Sequence, residues 1–185
     1  PEALALSDLP VDAELPEVDR VVAHHMGWFG AGDHIDVGYD STHPQVAARQ
    51  VAVARRLGIH GFVTDWYGGL SEHIDRAFQA IAAAALETPD FAVGLMYDYG
   101  ALRWGAAHPH DAASVTARMI ADLTDAHARY MAPDSPYASV YLTQDARPLI
   151  LTFPYDDFAQ PDLAAVRAVL EGLQPPPVLV DLNPD

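Results

Sequence analysis

The chain has 185 residues, 50% of them hydrophobic, and 26 acidic residues against 10 basic ones give it a formal charge of −16. A charge of this sign and size repels phosphate backbones and anionic lipid surfaces, so we expect neither nucleic acid nor a membrane surface as a partner. The absence of cysteine excludes disulfides, thiolate metal sites and a cysteine nucleophile, and no apolar run approaches the ~20 residues of a membrane span.

The N-terminal segment, residues 1–19, carries scattered prolines and acids without a sustained period, and we predict a leader packed against the outside of the fold. The chain starts at Pro1 rather than at methionine, so we expect a processed, trimmed or incompletely represented product. This start is compatible with a secreted or periplasmic protein, and the sequence leaves the compartment open. The first strand is predicted from Val21 to Met26, where a continuous apolar run begins.

After the first strand, segments with helical spacing alternate with short apolar runs typical of buried strands. Gly58 ends the first predicted helix and Pro89 stops the second. The predicted elements are, in order, a helix from Pro44 to Leu57, a strand from Gly61 to Asp65, a helix from Ser71 to the residues before Pro89, a strand from Ala92 to Tyr97, a helix from Asp111 or Ser114 through His127, a ribbon made of Tyr137–Leu142 and Pro148–Phe153, a helix from Leu163 to Leu173, and a strand from Val178 to Leu182.

This alternation predicts right-handed βαβ units, a parallel sheet and one domain over residues 1–185. A complete (β/α)8 barrel of the TIM type needs ~250 residues, whereas this chain offers about five βα units. The α/β fold is therefore either an open doubly wound sheet or the front part of a (β/α)8 barrel. An unclosed barrel would leave its first and last strands with open edges, and we expect a partner segment, or sequence omitted from this chain, to cover them.

Two carboxylates follow neighbouring predicted strands and are the candidate catalytic residues. Asp65 ends the second strand and Asp98 follows the third. Adjacent strands lie ~4.8 Å apart, so the two carboxylates could reach the separations of glycosidase pairs, ~5–5.5 Å for retention or ~6.5–9.5 Å for inversion of configuration. The alternative is that each aspartate caps a helix or accepts structural hydrogen bonds.

Aromatic side chains accompany these carboxylates at the strand ends. Rings stack on the C–H faces of sugars and carboxylates accept their hydroxyl hydrogens, so the recurrence of both types predicts a carbohydrate site. The alternative for each ring is that it fills the rim of the barrel. The candidate substrate-binding residues, all near predicted strand ends, are His24, His25, Trp28, Trp66, Tyr67, Tyr97, Tyr99, Tyr155, Asp156 and Asp181.

No metal or cofactor is predicted. Strand alternation sends His24 and His25 to opposite sides of the sheet, and no metal-ligand spacing supports a hydrolase that would use one of them with Asp65. A metal-dependent hydrolase that uses His24 or His25 with Asp65 remains an alternative hypothesis. Gly27 and Gly30 do not form a dinucleotide fingerprint, and a phosphate-binding loop needs a lysine, which this chain lacks.

Several of these motifs resemble a known family. The residues involved are Val21–Phe29, Tyr39–Ser41, the segment Gly58–Gly68 that reads Gly-Ile-His-Gly-Phe-Val-Thr-Asp-Trp-Tyr-Gly, Gly94–Tyr99 and Tyr141–Ile150. Together they resemble the front half of the glycoside hydrolase family 99-like proteins, with family 71 as a relative. The resemblance spans nearly the whole chain.

The resemblance implies a (β/α)8 barrel that acts on α-linked glycans, often mannose-containing, with the substrate over the strand C-termini. It places Trp28, Trp66, Tyr67, Tyr97 and Asp98 around the sugar subsites, with Asp98 at the position of an acidic residue that contacts the reacting sugar. The family commonly has Glu there, so the carboxylate of this chain reaches less far.

The principal acids of the family lie after the fifth strand, and no counterpart follows Asp181. We therefore expect a glycoside hydrolase-like protein for α-linked mannose- or glucose-containing glycans whose main catalytic acids lie outside this chain. In that protein Asp65 and Asp98 would orient and polarise sugar hydroxyls. The alternative is a noncatalytic carbohydrate-binding or surface-assembly protein with a barrel-like fold.

Overall fold

The computed structural model describes residues 20–30, 32, 36–104, 111–153 and 160–182, so the predicted leader lies outside the described residues. The helices and strands alternate along most of the chain. They are β1 (Val22–His25), α1 (Pro44–Arg56), β2 (Gly61–Trp66), α2 (Glu72–Leu86), β3 (Ala92–Asp98), α3 (Gly100–Trp104), α4 (Ala112–Ala126), β4 (Thr143–Gln144), β5 (Arg147–Phe153), α5 (Leu163–Leu170) and β6 (Val178–Asp181). Across these ranges no helix is both long enough and apolar enough to span a membrane.

Three helices begin close to their predicted positions because a short polar side chain caps each one. At the start of α2, Ser71 accepts a hydrogen bond from the backbone N–H of Ile74. Asp111 accepts one from Ser114 at the start of α4, and Asp162 caps α5 in the same way. Each cap satisfies backbone donors that the first helical turn leaves unpaired.

Five strands form a parallel sheet in the order β1-β2-β3-β5-β6, and β4 adds a short antiparallel pairing to β5. The spatial order follows the order along the chain. A doubly wound sheet reverses its strand order at a switch point, and no such reversal occurs among the described strands. The chain therefore has an α/β fold with a mostly parallel sheet.

The two faces of the sheet carry different cores. The face that we call outer packs against the helices through a large cluster that includes Phe62, Leu95 and Ile150. The opposite face, which we call inner, carries a small apolar cluster of Val63, Ala92, Met96 and Leu142. Because successive strand residues point to opposite faces, β2 and β3 contribute alternate residues to the two clusters.

The small apolar cluster closes the inner face toward the strand N-termini. Leu142 lies directly over Gly94, where an added Cβ would come 3.4 Å from the Cβ of Leu142. Leu149 and Leu151 from β5 pack against the same cluster. This layer of apolar side chains lies beneath the strand ends that carry Asp65 and Asp98.

The sheet is strongly curved at its carboxyl end. Two strands, β2 and β3, lie between β1 and β5. In a flat sheet, side chains on β1 and β5 would therefore be three strand spacings, or ~14 Å, apart. The rings of His24 on β1 and Phe153 on β5 nevertheless have centroids only 6.5 Å apart. The inner face is therefore concave at this end, as in the wall of a barrel.

The predicted strand from Tyr137 to Leu142 is wrong. A 3-10 turn occupies Ala138–Val140, and only the two residues of β4 pair antiparallel with β5. The chain turns tightly here because the N–H of Val140 donates back to the carbonyl of Tyr137, which leaves no extended stretch for a longer ribbon.

Candidate functional site

The strand geometry brings Asp65 and Asp98 together on the inner face. Asp65 lies two residues after Val63, and Asp98 two residues after Met96, so each carboxyl group points to the same side as the inner cluster. The register pairs Asp65 with Met96, which places Asp98 one inward-facing position farther along the neighbouring strand. Both residues are only 3% exposed.

The two carboxyl groups share a hydrogen bond and titrate as a pair. Burial is the largest cause that raises the pKa of Asp65, and the charge and hydrogen bond of Asp98 add to it, so that the pKa reaches about 8. Burial also raises the pKa of Asp98, but hydrogen bonds from Gly100, Tyr67 and Asp65 oppose the increase. At neutral pH the pair therefore holds one proton, mainly on Asp65, and Asp98 carries the charge.

A backbone N–H two residues further along the chain holds the carboxylate of Asp98 in place. The backbone N–H of Gly100, at the start of α3, donates to Oδ1 of Asp98 over 2.5 Å. A hydrogen bond of this kind favours the ionised carboxylate. It explains why the shared proton belongs to Asp65 rather than to Asp98.

Tyr67 supplies a hydroxyl to the pair. It is partly buried and follows β2 directly, and its side chain hydrogen-bonds to both Asp65 and Asp98. These hydrogen bonds lower the pKa of both carboxyl groups, against the larger effect of burial on Asp65. Tyr67 is thus the one predicted aromatic residue that the described structure brings into contact with both carboxyl groups.

His24 faces the pair from β1. Its Nε2 lies 4.0 Å from Oδ1 of Asp65, which is too far for a direct hydrogen bond. Oδ1 of Asp65 is buried and has no hydrogen-bond partner within the described part of the chain. Burial lowers the pKa of His24 despite the nearby charge of Asp98, so the imidazole is neutral at pH 7. A ligand hydroxyl between these two groups could bond to both.

Phe153 completes the inner surface and was not among the predicted site residues. It is the register partner of Asp98, it is 44% exposed, and its ring lies beside that of His24. The alternation of β5 contains the signal that could have found it, because Leu149, Leu151 and Phe153 point to one side.

Three of the predicted aromatic residues lie on the other side of the sheet. Trp66, Tyr97 and Tyr99 are buried in the cluster between sheet and helices. The indole N–H of Trp66 donates to Asp75 over 3.1 Å, and the hydroxyl of Tyr97 donates to Asp122 over 2.8 Å. The expectation that these rings line a sugar subsite does not fit this placement, because neighbouring strand residues cannot all face one site.

Of the remaining predicted residues, His25 and Asp181 also lie apart from the carboxyl pair. His25 stacks on Phe62, and burial lowers its pKa to about 4. Asp181 accepts a hydrogen bond from Thr152, which is the register partner of the outward-facing Tyr97. The rest of the predicted set comprises Trp28, which packs against the large cluster between sheet and helices, and Tyr155 and Asp156, which lie outside the described residues.

The described residues contain no group of three or more His, Asp or Glu side chains placed to hold a metal ion. The site is instead built from one proton-sharing carboxyl pair, a phenol, a neutral imidazole and a phenyl ring. Such a surface can donate and accept hydrogen bonds at one point and offer apolar contact beside it.

Comparison with solved structures agrees with this fold. The structure of the GH99 endo-α-mannosidase from Bacteroides thetaiotaomicron in complex with Bis-Tris propane aligns with a TM-score of 0.54 at 10% sequence identity, over 73% of this chain and 42% of that chain. Another structure of the GH99 endo-α-mannosidase from the same organism aligns with a TM-score of 0.48 at 12% identity, over 76% and 46% of the two chains.

The chain spans less than half the length of these two mannosidase chains. No family model matches the sequence. No curated protein matches it either. At such low identity the likeness establishes an α/β fold with TIM-barrel-like neighbours and a distant structural relationship to the GH99 endo-α-mannosidase structures.

Proposed function

We propose that this chain provides a glycan-binding surface of a glycoside hydrolase-like protein acting on α-linked glycans, with mannose- or glucose-containing substrates bound at the strand C-termini. The observation that carries the proposal is the carboxyl pair of Asp65 and Asp98, which lies on the concave inner face and leaves the buried Oδ1 of Asp65 without a hydrogen-bond partner among the described residues. The motif resemblance and the distant relationship to endo-α-mannosidase structures support the same class.

A sugar hydroxyl fits this pair because it is both donor and acceptor. At neutral pH, Oδ1 of Asp65 accepts a hydrogen bond and the charged Asp98 accepts another, so two neighbouring hydroxyl groups of one ring can be held together. Nε2 of His24 lies across from Asp65 and bonds to the same ligand hydroxyl. Phe153 offers its exposed ring to an apolar C–H face of the sugar.

The closeness of the pair argues against a role as the two catalytic acids of hydrolysis. Glycosidase carboxylates that flank a scissile bond stand ~5 Å or more apart, whereas carboxyl groups that hydrogen-bond to each other are in direct contact. We therefore assign Asp65 and Asp98 to orienting and polarising hydroxyl groups. In an enzyme of this class, acids other than this pair would cleave the glycosidic bond.

The same closeness favours a second candidate, a noncatalytic carbohydrate-binding protein with a barrel-like fold. Such a protein would use the same surface without a second set of acids. The two candidates differ in turnover: the enzyme releases reducing sugar from a bound α-linked oligosaccharide, and the binding protein does not.

Isothermal titration calorimetry of the full-length protein tests the proposal, with α-linked manno-oligosaccharides and gluco-oligosaccharides as probes. We expect heat of binding from at least one of the two series, and a loss of about tenfold or more in affinity for Asp98→Asn, since a charged hydrogen bond is removed.

The matched control is Asp134→Asn, which removes the same charge from an exposed residue and leaves the affinity unchanged. Absence of binding from both series would overturn the proposal. Equal affinities for wild type and Asp98→Asn would show that the carboxyl pair does not bind the ligand.

A further inference from the structure

The turn after β2 is held by a side chain from a distant helix. The chain leaves β2 through Tyr67 and enters a short 3-10 turn at Gly68–Leu70. Gly68 adopts a φ of +60°, and a Cβ added there would lie 2.3 Å from Oδ2 of Asp122. The carboxylate of Asp122, on α4, thus occupies the space that any other side chain at position 68 would need.

Asp122 also holds the end of β3. Its carboxylate accepts hydrogen bonds from the hydroxyl of Tyr97 over 2.8 Å and from the backbone N–H of Gly69 over 3.4 Å. Arg118, one turn earlier on α4, donates to the same carboxylate over 2.9 Å and balances its charge. One buried carboxylate therefore connects α4, the β2 turn and β3.

Tyr67 lies between two fixed points. The preceding residue, Trp66, is buried and bonded to Asp75, and the following residue, Gly68, is in contact with Asp122. With both flanking residues held, the Tyr67 backbone has little freedom. Its ring packs against the large outer cluster, while its hydroxyl hydrogen-bonds to Asp65 and Asp98.

We propose that Asp122 is a positioning residue, which fixes the turn after β2 so that the Tyr67 hydroxyl reaches the Asp65–Asp98 pair. The inference rests on the proposed function, in which that pair holds the ligand. Asp122 acts from the outer side of the sheet and does not touch the pair. The competing view is that Asp122 only stabilises the packing of α4.

The test follows the carboxyl titration of Asp65 and Asp98 by carbon-detected NMR, without ligand, in Tyr67→Phe, Asp122→Ala and the double variant. Removing the Tyr67 hydroxyl removes a hydrogen bond that lowers both pKa values, so we expect an upward shift of about one pH unit. We expect Asp122→Ala to give a shift of the same sign, and the double variant to shift no further than Tyr67→Phe alone. His24 also faces the pair and is unchanged in all variants.

Asp125→Asn is the matched control, because Asp125 lies on the same helix with an exposed side chain. It removes one charge from α4 and leaves the titration unchanged. A purely structural role for Asp122 predicts that Asp122→Ala lowers stability while the titration of the pair stays as in wild type. That result would overturn the inference, as would additive shifts in the double variant.

Gly68→Ala perturbs the same contact from the other side and decides the matter if Asp122→Ala does not fold. Its added methyl group displaces the turn from Asp122, and we expect the same upward shift of the titration. A folded Gly68→Ala protein with a wild-type titration overturns the inference. Because no sugar is present, the outcome is independent of whether the protein binds the glycans tested above.

Discussion

The outer and inner faces of the sheet use the same residue types for different purposes. On the outer face, two aspartates have an arginine beside them: the buried Asp122 is bonded to Arg118, and the partly buried Asp75 to Arg129. On the inner face, Asp65 has another carboxylate, the Tyr67 hydroxyl and a neutral imidazole as described neighbours, and no arginine is among them.

This contrast shows how a ligand site can be recognised on such a sheet. Aspartates whose charge is balanced and whose acceptors are used hold the fold together. A carboxyl pair without a cation among its described neighbours must keep a proton instead, and retains hydrogen-bonding capacity for a ligand.

The largest effect is expected from Trp66→Ala on the outer face. The Trp66 ring is fully buried between sheet and helices, so its removal leaves a cavity and frees Asp75 from one donor. We expect the free energy of unfolding to fall by about 3–5 kcal/mol, as measured by urea denaturation. A loss of less than about 1 kcal/mol, together with weakened sugar binding, would indicate that Trp66 contacts the ligand instead of stabilising the core.

The pH dependence of the free energy of unfolding should show that Asp65, on the inner face, keeps its proton in the folded protein. The folded pKa of Asp65 is about 8, above its unfolded value, so its contribution is present in acid and is lost as the pH rises through about 8. We expect wild type to lose about 1 kcal/mol per pH unit between neutral pH and pH 8 from this group.

Asp65→Asn should abolish that slope, because asparagine has no proton to lose. Urea denaturation at several pH values compares the two proteins, with Asp134→Asn as the control for surface charge. Parallel curves for wild type and Asp65→Asn would show that Asp65 is ionised throughout the range.

His25 on the outer face should give the opposite pH dependence. Burial depresses its folded pKa to about 4, below the unfolded value of 6.5, so its contribution is present above pH 6.5 and is lost as the pH falls through about 4. We expect His25→Gln to flatten the acid side of the stability curve and to leave the alkaline side unchanged. An unchanged acid side would show that His25 takes up no proton in unfolding.

The smallest effect on stability is expected from Phe153→Ala. The ring is nearly half exposed, so the free energy of unfolding should fall by about 1 kcal/mol or less. Sugar affinity should fall by about tenfold, because the stacking surface is lost. Calorimetry compares Phe153→Ala with Leu57→Ala, which removes an exposed apolar side chain beyond α1 and should leave the affinity unchanged.

The order of the elements could be predicted from the sequence because apolar runs and helix caps are local signals. The parallel sheet and the positions of α2, α4 and α5 follow from them. The shortness of β4 could not be predicted. The 3-10 turn before it, which ends at Val140, depends on backbone hydrogen bonds rather than on residue type.

The site could be predicted only in part. Neighbouring strands brought Asp65 and Asp98 close, as their order suggested, but their direct contact depends on a register that places Asp65 beside Met96. The rings of Trp66 and Tyr97 lie on the outer face, away from the carboxyl pair, and the two-residue period of a strand contains that information. The bond from Tyr97 to Asp122 depends on how α4 packs, which no local pattern records.

The layer formed by Leu142 over Gly94 also determines how a ligand can travel. It covers the inner face on the side of the strand N-termini, so within the described part of the chain the carboxyl pair is closed off from that side. A ligand of the pair would instead approach from the carboxyl ends of the strands.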